Sequence, residues 1–153
     1  MKIIKTSLLD PEQKERIRRL WNEEYPRQLA VSPVSFEAFL RTTDRQNHYL
    51  IISVVNELVG WAFTFDRAGE RWFSIIIETS HQRKGYGRVL LDLLKEKESV
   101  LHGWVIDHPH DVRQNGTPYL TPLSFYLQNG FTSLPGIRLE DDKISAVKIV
   151  WKK

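Results

Sequence analysis

Apolar side chains recur at helical spacing in residues 11–25, near the start of the chain. They follow an Asp10-Pro11 pair, in which aspartate can cap a helix and proline can occupy its first turn. This pattern predicts an amphipathic first helix. The proline-rich stretch that comes next cannot continue it, and we expect Ser35 to open a short second helix that ends near residue 43.

β-type residues replace the helical pattern from residue 48 onward. Three apolar segments are separated only by short turns, which predicts an antiparallel meander because strands joined by such short connections pair with their neighbours. The segments are residues 48–55, 58–65 and 71–78, with turns at Asn56-Glu57 and Ala68-Gly69.

Helices and strands alternate in the second half of the chain. The predicted elements are a helix at 86–98, a strand at 101–107, a short helix at 122–129 that Gly130 ends, and strands at 137–141 and 144–151. The predicted order is therefore ααβββαβαββ. No repeat or linker interrupts it, so we predict one α/β (α+β) domain over residues 1–153, with a mixed, mostly antiparallel sheet flanked by helices.

The amino-acid composition excludes several kinds of functional site. The sequence has 153 residues, 41% of them hydrophobic, and no cysteine, which excludes disulfides, thiolate zinc sites and cysteine nucleophiles. It has neither a basic apolar leader nor a long apolar run, so we expect a cytoplasmic protein. The net charge of +3 suits an anionic cofactor, whereas a nucleic-acid binder would need a concentrated basic face. The apolar closing strand could pair with a second copy in a homodimer.

The stretch "HQRKGYG" at residues 81–87 lies between a predicted strand and a predicted helix. A helix N-terminus presents unpaired N–H groups and a partial positive charge, which suit phosphate oxygens. Gly85 and Gly87 would remove Cβ atoms where such a ligand approaches, and neighbouring basic residues would add charge. The alternative is a flexible turn with solvated basic side chains. The dinucleotide fingerprint does not match, because it needs a third glycine and a parallel βαβ unit.

The same stretch resembles a family signature. Gln82, Gly85 and Gly87 fit the pattern Gln/Arg-x-x-Gly-x-Gly/Ala of the GNAT superfamily of N-acetyltransferases, at the strand-helix junction where that family has it. A second segment, "SFYLQNGF", is similar to the family's aromatic-tyrosine pair followed by Gly-Phe, with Tyr126 in the tyrosine position. The resemblance covers nearly the whole chain and implies the GNAT fold, with acetyl-CoA as cosubstrate. No metal is expected, because no His-x-x-x-His or carboxylate frame surrounds His102, His108 and His110.

The resemblance also implies which residues bind acetyl-CoA. The family holds the pyrophosphate with backbone N–H groups of this loop and lets the pantetheine arm pair with the preceding strand, where that strand splays from the next. The matching residues here are Gln82, Arg83, Lys84, Gly85, Tyr86, Gly87 and Arg88 in the loop, and Ile75 and Ile77 in the strand. A buried central strand would explain the isoleucine side chains equally well.

Direct acetyl transfer needs a neutral amine and a proton for the departing thiolate. By resemblance Tyr126 is the acid: its hydroxyl, with an unperturbed pKa of about 10 against about 8.5 for a thiol, can hydrogen-bond to the sulfur and donate as negative charge develops there. The alternative is a tyrosine that only packs on the sheet. Some members of the family have a glutamate base on the strand before the glycine stretch, but the matching position here is Arg71. Glu78 is therefore the first candidate base, acting through a water, ahead of His81 and His108. For each of these three, a solvated surface residue is the alternative.

The acceptor site is framed, by resemblance, by the loop between the first two helices and the loop after the strand at 101–107. Tyr25, Arg27, Asp107 and His108 are the predicted substrate residues, and their opposing charges leave the acceptor undecided. The implied function is transfer of an acetyl group from acetyl-CoA to a primary amine of a small molecule or peptide. The alternative is a CoA-binding module of the same fold without catalytic activity.

Overall fold

The computed structural model describes residues 1–153 and contains one seven-stranded sheet with helices on both faces. The strands are β1 (Lys2–Thr6), β2 (Asp44–Ile52), β3 (Leu58–Arg67), β4 (Glu70–Ile77), β5 (Val100–Ile106), β6 (Thr132–Glu140) and β7 (Ser145–Lys152). The helices are α1 (Pro11–Glu24), α2 (Pro33–Arg41), α3 (Tyr86–Lys97) and α4 (Leu123–Gln128). The sheet order is β1-β2-β3-β4-β5-β7-β6, and only β4 and β5 run parallel. None of the helices combines the length and hydropathy needed to span a bilayer.

The predicted fold class is confirmed, but the predicted order lacked the first strand. β1 is a five-residue edge strand that pairs only with β2, and most of its side chains are exposed. Ile3 and Ile4 are adjacent instead of alternating, so no period-2 pattern marked it. β6 likewise begins at Thr132, five residues before its predicted start, because an exposed edge strand needs no hydrophobic alternation.

Capping residues determine where the first two helices begin. Asp10 accepts a hydrogen bond from the Gln13 N–H at 2.8 Å, and the Gln13 side chain accepts one from the Asp10 N–H at 2.9 Å, as in a capping box. The second helix begins earlier than predicted, since Ser32 caps it and Pro33 occupies its first turn. Ser35 is already helical, and its N–H donates to the Ser32 hydroxyl.

Two hydrophobic cores cover the two faces of the sheet. α1 and α2 pack on one face through residues such as Ile17, Leu20 and Phe36. α3 and α4 pack on the other, where Leu90 and Leu94 are fully buried. The inner strands β2, β3, β4 and β5 contribute to both cores because their side chains alternate between the faces. In β4 this alternation sends odd-numbered side chains towards α3 and α4, and even-numbered ones towards α1 and α2.

The closing strand does not lie at an edge of the sheet. β7 pairs with β5 on one side and with β6 on the other, so its backbone groups are already used within the chain. The expectation that this strand could pair with a second copy is therefore wrong. Its apolar side chains are explained by burial, since Ala146, Val147 and Ile149 belong to the core.

Candidate functional site

β4 and β5 separate soon after they meet. They pair only at Trp72 and His102, whereas β4 pairs with β3 along its whole length. The Glu78 N–H donates to the Val59 carbonyl of β3 at 2.9 Å, so strand alternation turns the backbone groups of Ile75 and Ile77 away from β3, towards the gap. The two isoleucines predicted to pair with pantetheine thus lie on the open edge of β4.

The glycine stretch forms the loop that opens α3. Gly85 is the N-cap with a φ of 86°, and Arg83 also has a positive φ, of 60°. The first helical hydrogen bond runs from the Val89 N–H to the Gly85 carbonyl at 3.1 Å, and no backbone N–H of residues 83–88 donates to a protein acceptor. Six consecutive free amides at the positive end of a helix form a site suited to an anion.

The two glycines of this loop serve different purposes. A Cβ on Gly85 would meet nothing within 4 Å, so the left-handed backbone is what requires glycine there. A Cβ on Gly87 would lie 3.3 Å from Phe125 Cζ and 3.6 Å from Ile77 Cδ1. Glycine at this second position lets α4 pack closely against the start of α3, so internal packing accounts for it without a ligand.

The remaining loop side chains leave the amides accessible. Arg83, Lys84 and Arg88 are exposed, whereas Tyr86 is half-buried against the α3 core. The Gln82 side chain folds back and donates to the Ile77 carbonyl at 2.8 Å, which joins the loop to the open edge of β4. All nine residues predicted to bind acetyl-CoA therefore occupy one continuous region.

A cavity of about 340 Å³ opens where β4 and β5 separate. Its walls are mostly apolar, and three tyrosines from different elements reach it: Tyr25 after α1, Tyr119 in the loop after β5, and Tyr126 in α4. The Tyr126 ring packs edge-on against Phe73 and Phe131, with centroids 5.5 Å and 5.4 Å away. Tyr126 thus combines core packing with a position in the cavity wall.

Burial raises the pKa of all three tyrosines. The effect is strong at Tyr126 and Tyr119, and at Tyr126 the neighbouring Tyr25 and Tyr119 add to it. At Tyr25 the nearby Ser74 side chain partly offsets the rise in pKa. Each hydroxyl therefore stays protonated at neutral pH and can donate a hydrogen bond to a group in the cavity.

Of the four predicted substrate residues, only Tyr25 lines the cavity. Arg27 donates weakly to the Arg113 carbonyl at 3.4 Å. Asp107 accepts two hydrogen bonds of 2.9 Å from Arg138. His108 accepts a hydrogen bond from the His110 N–H at 3.1 Å. The polar groups of the last three are therefore engaged by neighbouring residues outside the cavity wall.

Glu78 also lies outside the cavity wall. Its carboxylate accepts hydrogen bonds of 2.8 Å from Arg16 Nη2 and from Ser80 Oγ. A proton from the cavity could reach Glu78 only through water, as the sequence analysis supposed. Its assignment as the base stays a prediction.

Arg71, at the position for which the resemblance suggested a glutamate, is buried with 5% of its surface exposed. It donates hydrogen bonds to the carboxylates of Glu98 and Asp66, both at 3.1 Å, as well as to Thr64 Oγ1 and the Arg45 carbonyl. These partners satisfy the guanidinium within the protein. Arg71 therefore joins the ends of several elements and does not face the cavity.

A carboxylate that no sequence pattern indicated, with 9% of its side chain exposed, joins the loops around the site. Glu24, at the end of α1, accepts hydrogen bonds from the Thr79 N–H at 3.0 Å, from the Thr79 hydroxyl at 2.7 Å and from Arg113 Nη1 at 3.0 Å. It thereby links α1 to the segment before the glycine stretch and to the loop after β5. No sequence signal identified it, since its partners are 55 and 89 residues away.

Comparisons with known proteins agree with this geometry. A family model described as an acetyltransferase (GNAT) domain matches residues 45–133. A comparison with curated proteins gives no significant match to the sequence.

Solved structures of similar fold cover almost the whole chain. An aminoglycoside 6′-N-acetyltransferase complexed with coenzyme A has a TM-score of 0.73 at 14% identity, covering 99% of this chain and 97% of that chain. The aminoglycoside 6′-N-acetyltransferase from Enterococcus faecium has a TM-score of 0.68 at 15% identity, and the match covers 99% of this chain and 97% of that chain. The ribosomal-protein-S18-alanine N-acetyltransferase from Escherichia coli has a TM-score of 0.62 at 15% identity, and the match covers 99% of this chain and 94% of that chain. Because the family model spans more than half of the sequence, the chain belongs to the GNAT acetyltransferase family.

Proposed function

We propose that this protein is an N-acetyltransferase that moves the acetyl group of acetyl-CoA directly to a primary amine of a small molecule or peptide. The observation that carries the proposal is the run of free amides at residues 83–88, next to the open edge of β4. The similar structure complexed with coenzyme A supports the choice of cosubstrate. The similar structures named for aminoglycoside and ribosomal-protein acetylation support an amine acceptor.

The chain's own groups fit acetyl-CoA. In this proposal the amides of residues 83–88 bind the pyrophosphate, and the cations of Arg83, Lys84 and Arg88 add favourable charge. The backbone of Ile75 and Ile77 pairs with the amides of the pantetheine arm, as an added strand would. When bound, acetyl-CoA supplies an activated acyl group as a thioester.

Proton transfer is assigned to two residues. Tyr126, whose hydroxyl is protonated, donates to the departing thiolate. Glu78 takes the proton of the incoming ammonium through a water. The alternative function, a CoA-binding module without catalysis, would use the same amides and leave Tyr126 as a packing residue only.

Acetyl-CoA should raise the thermal stability of the protein, because a ligand that binds only the folded state stabilises it by about 2.7 kcal/mol at a hundredfold excess over Kd. Gly85→Ala should lose most of this shift, since an alanine strains the left-handed loop by about 1 kcal/mol and disturbs its amides. Thermal unfolding with and without acetyl-CoA measures both effects.

Gly69→Ala is the matched control for this experiment. Gly69 also has a positive φ, of 76°, and open space around its Cβ position, but it lies in the turn between β3 and β4. Its variant should lose similar basal stability and keep the full acetyl-CoA shift. An unshifted wild type would refute the proposed function, and equal shifts in both variants would refute the role of the loop.

Glu78→Gln should lower kcat/KM by about 10²-fold or more at pH 7, as loss of a general base does. Arg16→Gln is the control, because it breaks the same ion pair but keeps the carboxylate. It should retain most of the activity when release of free CoA thiol is followed. Equal losses in the two variants would show that the ion pair holds the structure and that Glu78 is not the base.

A further inference from the structure

One wall of the cavity is unusually rich in aromatic side chains. On the α1 and α2 side it is lined by Trp21, Phe39, Phe65, Trp72 and Trp104. The Trp72 and Trp104 rings stack with centroids 5.3 Å apart. Trp21 meets Phe39 edge-on at 5.2 Å. Flat faces and ring edges of this kind favour an apolar, planar ligand.

The charged residues of the cavity wall also limit which ligands can bind. No aspartate, glutamate or histidine lines the cavity, and Arg67 is its one charged residue. A polycationic amine would have to give up its hydration here without meeting a carboxylate, which is unfavourable. The wall therefore disfavours polyamines and aminoglycosides as acceptors, although aminoglycoside acetyltransferases share the fold.

Arg67 itself lacks an acidic partner, in contrast to Arg71, Arg113 and Arg138. Its guanidinium carbon lies 5.4 Å from the ring centroid of Phe39 and 5.1 Å from that of Phe65. One nitrogen, Nη2, donates to Thr42 Oγ1 at 2.6 Å, and the other N–H groups have no protein acceptor. The two rings and the threonine fix the orientation of a cation that can still bind a carboxylate.

The register of the sheet gives the distance between the two ends of the site, which are Arg67 and the part of β4 around Ser74, next to Ile75, where the pantetheine arm is proposed to bind. Ser74, which lines the cavity, is opposite Phe63 in β3, and Arg67 lies four residues further along that strand. At about 3.3 Å per residue, the two positions are separated by about 13 Å along the strand. A ligand that contacts both ends must therefore be elongated.

We infer that the acceptor is an elongated amine with an aromatic body and a carboxylate at the end opposite the amine, and that Arg67 binds this carboxylate. The inference rests on the proposed function. The amine nitrogen attacks the thioester carbonyl, a C–N bond forms as the C–S bond breaks, and the amine loses one proton while the thiolate gains one. The products are an amide and free CoA, and no oxidant or further reactant is needed. A cavity of about 340 Å³ suits a small molecule of this kind.

Three probe amines test the inference: 4-(2-aminoethyl)benzoate, 2-phenylethylamine, which lacks the carboxylate, and spermidine, which is a polycation. Binding to the CoA-bound protein is measured by calorimetry, and turnover is followed by release of free thiol. We expect the benzoate to be bound and used at least about 10-fold better than 2-phenylethylamine, as for a charge-assisted hydrogen bond. Spermidine should be the weakest of the three.

Arg67→Gln should remove this preference, by lowering kcat/KM for the benzoate about 10-fold more than for 2-phenylethylamine. Arg41→Gln, which changes an exposed arginine at the end of α2 that does not line the cavity, should keep the preference of the wild type. The ratio between the two acceptors is the readout, so a general loss of stability cannot imitate the result.

The inference is overturned if spermidine binds better than the aromatic amines, or if neither aromatic amine binds the CoA-bound protein. It is also overturned if Arg67→Gln lowers kcat/KM equally for both aromatic acceptors. Failure of the proposed function has a different signature, because it appears as the absence of any stabilisation by acetyl-CoA before an acceptor is added.

Discussion

Replacing Tyr126 by phenylalanine should lower kcat by about 10²–10⁴-fold, the range typical of a lost general acid. The ring would keep its packing against Phe73 and Phe131, since only the hydroxyl is removed. Because the proposed acetyl-CoA site is the loop before α3, acetyl-CoA binding should be retained. Because burial raises the pKa of Tyr126, the hydroxyl stays protonated up to at least pH 10, and the wild type should show no loss of activity from its ionisation below that pH.

The control for this variant is Tyr49→Phe. Tyr49 is also buried in the core on the α3 side, but it does not line the cavity, so its variant should keep kcat. Steady-state kinetics and the acetyl-CoA stability shift are measured for both. A Tyr126→Phe enzyme with the wild-type kcat would refute the acid role. A wild type that binds acetyl-CoA and acetylates no amine would support the module without catalysis.

Replacing Arg71 by alanine should cost about 3–5 kcal/mol of stability, as removal of one partner from a buried ion pair does. Arg71 is 5% exposed, and the Glu98 side chain that it pairs with is 14% exposed. Without the guanidinium, this carboxylate would stay in a poorly hydrated position, and the Arg45 carbonyl and Thr64 hydroxyl would lose a donor.

Urea unfolding at pH 7 measures this loss, with two further variants for comparison. Arg71→Lys keeps the charge but not the planar fork, so it should lose less stability than the alanine variant. Arg45→Gln removes a neighbouring arginine that also binds Asp66 but is 70% exposed, and its effect should be much smaller. A loss below about 1 kcal/mol in Arg71→Ala would show that the pairs at Arg71 contribute no more than a surface ion pair.

Elements with a strong local pattern were predictable. α1 and α3 carry apolar stripes at helical spacing, and β2, β3 and β4 form the predicted meander. The first turn begins earlier than predicted, because β2 ends at Ile52 and leaves Val54 and Val55 exposed in the turn. The beginning of α3 was predictable for the same reason, because a strand, a glycine loop and a helix follow one another within a few residues. The edge strand β1 was not, since its exposed side chains carry no periodicity.

The pairing of the charged side chains around the site could not be predicted, for a physical reason. Asp107, a predicted substrate residue, pairs with Arg138, and Arg113 pairs with Glu24, although the members of each pair are distant in sequence. Such pairing depends on which loops the sheet brings together, and no local spacing encodes it. The aromatic wall around Arg67 has the same origin, because its members come from α1, α2, β3, β4 and β5.

The sequence by itself determined the fold class and the strand-helix junction at residues 81–87, because periodicity, turn residues and the two glycines act over short stretches of chain. Only the tertiary structure decided that β7 is an interior strand, that β4 and β5 part after one pair, and that the space between them is aromatic with a single cation. These features arise from strand order and packing, which join residues that are far apart along the chain.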